Sequence, residues 1–158
     1  MKILISPAKS LDFDSNISSL ECTQPVFLNK TSQINSVLKE KSPKDLMQLQ
    51  GISQKLSDLN WKRNNDYVNN HNDKNSRPAV FAFNGDVYNG IDVKTLSEDK
   101  VYDLQKSLRI LSGYYGVLKP LDLILLSNSL GVVLNPVILY EVDIERFFLF
   151  EDISFIAA

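Results

Sequence analysis

The chain has 158 residues, 44% apolar and 23% charged, which supplies the material for one folded domain and argues against intrinsic disorder. A net charge of −2 excludes a generally basic nucleic-acid binder, and the single cysteine, Cys22, excludes an internal disulfide. The opening Met1–Pro7 is too short an apolar run for a secretory leader, and no stretch reaches the roughly 18 apolar residues of a spanning helix. Cytoplasmic residence without membrane contact is therefore expected.

Lys2–Ile5 reads as a first, buried strand that ends at Ser6-Pro7. Ile34, Val37 and Leu38 recur at helical spacing and predict a helix from Lys30 to about Lys41. Ser42-Pro43 restarts helix, with Ser as N-cap and Pro at the first helical position; Leu46, Met47 and Leu49 follow before Gly51 breaks it. Ser53 then caps a third helix carrying Leu56, Leu59 and Trp61. The Asn-rich stretch Asn64–Ser76 predicts an exposed loop, with His71 in it as an exposed histidine and no neighbouring metal-ligand pattern.

Ala79–Phe83 reads as a second buried strand, stopped by the turn signal Asn84-Gly85-Asp86. Thr95-Leu-Ser-Glu98 fits a capping box opening a helix through Val101, Leu104 and Leu108, and Ile110-Leu111 begins a third strand. Gly113 and Gly116 bracket a tight turn before Leu118–Asp122. Strands alternating with helices predict a mixed α/β layer architecture.

Composition changes near residue 123. Up to Leu123 there are 16 basic and 14 acidic residues; from Ile124 onward there is one basic residue, Arg146, against five acidic ones. Of those last 35 residues 22 are apolar, four of them Phe. The expected division is a 1–123 unit and an unmatched apolar, acidic tail, 124–158. A frameshift near codon 124 accounts for that change, and the other downstream reading frames of the gene test it.

Four segments carry candidate chemistry. Ser6–Asp12 follows a strand, where α/β proteins place ligand-binding groups; Lys9 suits a phosphate or carboxylate and Asp12 would orient it. A solvated loop with a local ion pair fits the same spacing. Phe83–Gly90 offers Asp86 as acid, base or acceptor between two glycines, and reads equally as a turn. Leu46–Leu56 has the apolar–glycine–apolar–capped-helix order of a helix-hairpin-helix, whose amides face a phosphate irrespective of sequence. Six basic against three acidic residues lie between Lys39 and Arg63, and a plain two-helix core hairpin shows the same pattern. Leu108–Asp122 places Arg109 and Lys119 around a small-residue turn, with Tyr114 and Tyr115 as stacking faces. No Ser/His/Asp or Cys/His catalytic set, metal cluster or cofactor fingerprint stands out, so neither metal nor cofactor is expected and enzymatic activity is the lesser reading.

Together Ile3–Asp12, Ile52–Leu56, Phe83–Gly90 and Leu108–Asp122 resemble the YaaA (UPF0246) family of bacterial peroxide-stress proteins. The resemblance covers about 120 residues in four ordered blocks. It implies a cytosolic protein that limits damage from hydrogen peroxide and reactive intracellular iron. It also implies a basic cleft and a helix-hairpin-helix that binds double-stranded DNA, here at Gly51, Ile52, Ser53, Lys55, Lys62 and Arg63. The family usually carries Lys where this chain has Asn84, and its members run to roughly 250 residues, so an incomplete version of the fold is expected. Such a version exposes apolar sheet faces and an unpaired edge, with poor solubility and weak activity as the consequence. The alternatives are a small-molecule-binding enzyme using Lys9, Asp12, Asp86 and Arg109, or an inactive remnant.

Overall fold

The computed structural model describes residues 2–8, 10–15, 17 and 20–125. Lys9 and the tail beyond residue 125 lie outside the described residues. The described chain is mixed α/β, with six α-helices, a single 3-10 turn and three small sheets.

The largest sheet has the order β1-β5-β6. Strand β1 (Ile3–Ile5) runs parallel to β5 (Leu108–Ser112), and β5 pairs antiparallel with β6 (Gly116–Leu118). The turn between them is held by the Ser112 hydroxyl, which accepts from the amides of Tyr114 and Tyr115, and Gly116 takes a φ of +73°. Two short antiparallel ribbons pair β2 (Ser10–Leu11) with β4 (Phe83–Asn84) and β3 (Ser76–Pro78) with β7 (Leu123–Leu125). Ile124 and Leu125 thus continue the ladder that Leu123 begins.

Helix α1 (Leu28–Lys39) turns Ile34 and Leu38 into the main core beside Leu46, Ile110 and Leu118. The restart at Ser42 is a capping box: Asp45 N–H donates to the Ser42 hydroxyl, and Ser42 N–H donates to the Asp45 carboxylate. Helix α2 (Pro43–Gln50) ends at Gly51 in the left-handed region, and α3 (Gln54–Asn65) starts at its Ser53 cap. Helix α6 (Glu98–Ser107) packs Val101 into a second cluster with Val80, Phe81, Leu108 and Leu121.

Four expectations need correction. The run Ala79–Phe83 is not a strand: α4 (Ala79–Ala82) makes one helical turn between β3 and β4. Each of its residues is buried, so burial has no period to separate the two states. Strand β1 is largely exposed rather than buried, because among the described residues it has β5 alone as a neighbour. His71 is 3% exposed, and its Nδ1 lies 2.9 Å from the Leu123 carbonyl. Bonds among Asn70, Asn72 and Asn75 fold the loop onto itself, which brings the His71 ring against Tyr67 and Tyr115. Tyr114 and Tyr115 are buried in the core and offer no stacking face.

Candidate nucleic-acid interface

Helix α3 is built inside out. The residues it buries are polar, Ser57, Asn60 and Asn64, at the three- and four-residue spacing of a single face. Each attaches the helix to a neighbour. The Ser57 hydroxyl donates to the Pro43 carbonyl, and Asn60 Nδ2 donates to Gln50 Oε1 at 2.8 Å, so α2 and α3 are bonded along their contact. The Asn64 carbonyl accepts from Asn35 Nδ2 of α1 at 3.1 Å. Leu56, Leu59 and Trp61 are instead exposed. Sequence periodicity missed this, since apolar residues at helical spacing ordinarily mark the buried side.

The junction of α2 and α3 is fixed by backbone chemistry. The amides of Gly51 and Ile52 both donate to the Met47 carbonyl, which closes α2. Gly51 has a φ of +62° and open space where a side chain would stand. Ser53 Oγ takes the Leu56 amide, so the amides of Gln54 and Lys55 remain at the helix mouth without an intrahelical partner. Partial positive charge collects there. Lys55, Leu59 and Lys62 follow at i, i+4 and i+7 along one exposed stripe, and Asp58 beside it accepts from Gln54 Nε2 at 2.8 Å. Arg63 is half-buried, donates to Asn60 Oδ1, and has its pKa lowered by burial. Gly51, Ile52, Ser53, Lys55, Lys62 and Arg63 therefore belong to one hairpin, with Arg63 set deeper than the two lysines.

The strand-end candidates do not gather at one point. Asp12 and Lys94 form an ion pair at 2.7 Å on the rim of a cleft of about 110 Å³. Asn84, Tyr88, Asn89 and Asp92 also line that cleft. The Lys94 ammonium, aided by the amides of Ser15 and Asp14, holds the Asp12 carboxyl well below the ordinary carboxylate range. Lys94 comes from the 3-10 turn Val93–Thr95, and sequence reading did not single it out. Asp86 is exposed in the first turn of α5 (Asp86–Ile91) and is not among the cleft-lining residues. The Arg109 guanidinium lies over the end of α6, donating to the carbonyls of Gln105 and Leu108. Lys9 is outside the described residues.

A buried network closes the far side of the fold. Asp122 is fully buried; Thr23 Oγ1 donates to its Oδ1 at 2.6 Å and the Lys119 amide to its Oδ2 at 2.8 Å. Burial nevertheless raises its pKa above the usual carboxylate value. Gln105 joins it by donating to Thr23 and accepting from the Leu121 amide.

The family model for peroxide stress protein YaaA matches residues 1–126. The chain belongs to that family. UPF0246 protein FP0718 of Flavobacterium psychrophilum is 50% identical over 123 residues, which is 78% of this chain and 49% of that protein. A UPF0246 protein of Flavobacterium johnsoniae has the same identity and coverage, and one from Hahella chejuensis is 46% identical over 123 residues, 48% of its length. This chain thus spans about half the length of the YaaA-family relatives it matches. No helix among the described residues is long and apolar enough to cross a membrane, and no group of His, Cys, Asp and Glu among them is arranged to hold a metal ion.

Proposed function

We propose that the chain takes part in the peroxide-stress response as a DNA-binding protein, gripping double-stranded DNA by its phosphates at the α2–α3 hairpin and limiting damage from hydrogen peroxide and reactive iron. The observation that carries this reading is the inverted α3. Ser57 and Asn60 bond it to α2 and the Asn64 carbonyl bonds it to α1, while Lys55 and Lys62 are exposed and the amides of Gln54 and Lys55 have no intrahelical partner. Such a surface holds a phosphodiester backbone without reading bases, because charge and amide dipoles act on phosphate alone.

Electrophoretic shift of a random-sequence duplex, titrated against salt, tests it. Each phosphate contact contributes a log–log salt slope of about −0.9, so Lys55→Ala with Lys62→Ala should flatten the slope by about 2 and weaken binding. No shift at low salt, or an unchanged slope in the double variant, refutes it. A second reading, a small-molecule site, is favoured by the Asp12–Lys94 cleft; of the described candidates Asp12, Asp86 and Arg109, Asp12 alone lines it.

A further inference from the structure

The β1-β5-β6 sheet is covered on one face only. Ile110 and Leu118 lie on the inner face and are fully buried. The register pairs Leu4 with Arg109 and Leu111 with Val117, which puts these four on the opposite face. There Leu4 is 38% exposed and Leu111 41% exposed, and Val117 is half-buried. Ile3, paired with Leu108 on the inner face, is 44% exposed at the open edge. Among the described residues β1 and β6 each have a single neighbour, so both edges of the sheet are open.

This is an unusual state for a strand of that composition. In parallel sheets, ordinarily covered on both faces, strands read as near-continuous apolar runs, and although this sheet is mixed, its parallel strand β1 has that composition. Ile3-Leu4-Ile5 is such a run. Arg109, the cation among these four paired positions, is turned onto the carbonyls of Gln105 and Leu108, which leaves the centre of the face apolar. The family match covers residues 1–126, and the relatives carry about as much chain again.

We infer that the Leu4–Leu111–Val117 face is a docking surface for the polypeptide that YaaA-family relatives carry beyond the region matched here. That segment buries Leu4 and Leu111 as a second layer on the sheet. The inference is independent of DNA binding, since α3 has no part in it.

The test is co-expression of the full 158-residue chain with the unmatched second half of UPF0246 protein FP0718 as a separate, tagged polypeptide. Pull-down and light scattering after gel filtration then read the complex. The expected result is a one-to-one complex that Leu111→Asp or Leu4→Lys weakens at least tenfold. Val68→Asp, an equally exposed site off the sheet, should leave it unchanged. Both sheet positions are exposed, so the variants should retain the circular dichroism of the parent; a variant that loses it is replaced by the other. Failure to recover a complex overturns the inference. So does a homodimer of the chain alone that Leu111→Asp dissociates, which makes a second copy the occupant. Maleimide labelling of Leu111→Cys in a Cys22→Ser background decides the remaining case. Ready labelling of the chain alone and protection in the complex support the inference, whereas protection in the chain alone as a monomer assigns the face to residues 126–158 and overturns it.

Discussion

Replacing Gly116 by alanine places a methyl group 2.9 Å from Cδ2 of Phe27, on a backbone with a φ of +73°. Two separable costs follow. The left-handed conformation costs a residue with a β-carbon about 1–2 kcal/mol. The lower entropy of the unfolded alanine chain offsets about 0.4–1 kcal/mol of that. The second cost is steric. Carbon atoms rest at roughly 3.5–4.0 Å, so the ring or the β5–β6 turn must move, and overpacking of this kind costs about 1–3 kcal/mol. Gly51 isolates the first cost, because its φ is +62° and nothing lies within 4 Å of an added β-carbon. Gly51→Ala should therefore lose about 1 kcal/mol and Gly116→Ala about 2–4 kcal/mol. Urea unfolding followed by circular dichroism reads both, provided the m-value is unchanged. Phe27→Leu in the Gly116→Ala background should recover part of the difference in a double-mutant cycle. Equal losses at the two glycines, or no coupling to Phe27, would refute the reasoning.

Further expectations concern buried polar groups and charge. The Asn64 side chain is fully buried with neither its oxygen nor its nitrogen bonded among the described residues, so Asn64→Leu should stabilise the chain by about 1–2 kcal/mol in the same urea assay; destabilisation contradicts the assignment. Burial lowers the His71 pKa, so the fold favours the neutral ring and loses stability as pH falls below 6.5; that slope should vanish in His71→Phe, as thermal melts across pH 5–7.5 would read. The lowered pKa of Asp12 has the opposite chemistry but the same limb. Its contribution is present above pH 3.8 and is lost on acidification toward its folded value, so Asp12→Asn should lower the melting temperature at pH 7 and have little effect at the acid extreme. Asp122 has a raised pKa and the reverse sign, with stability falling as pH rises from 3.8 through its folded value. Asp122→Asn, which sets a donor against the Thr23 hydroxyl or the Lys119 amide, should still lower the melting temperature at pH 7.

Local rules read the helical half of this chain well. Ser42-Pro43, Gly51 and Ser53 each act through their own backbone neighbours, so the ends of α2 and the start of α3 stand where capping chemistry puts them. The capping box expected at Thr95-Leu-Ser-Glu98 does not form: Thr95 ends the 3-10 turn and bonds back to the Asp92 carbonyl, and α6 begins after Ser97, which makes no side-chain cap bond. The α2–α3 turn at Gly51 was equally legible, because the residues that make it are contiguous. The strand-end group was not, since Lys94 reaches Asp12 across 82 residues of sequence.

What the sequence by itself determined is therefore what short-range chemistry controls: the end of α2 and the start of α3, the turn between them, the β5–β6 turn and membership of the YaaA family. Only the tertiary structure decided which side of each element is covered. It turned Ser57, Asn60 and Asn64 inward where apolar periodicity pointed to Leu56 and Leu59, buried His71, and left Leu4 and Leu111 exposed. The physical reason is that burial depends on which neighbours arrive. Ser57 and Asn60 go inside because α2 supplies their hydrogen bonds, Asn64 is carried in by the bond its backbone carbonyl accepts from Asn35, and an apolar strand stays in water when no described element crosses it.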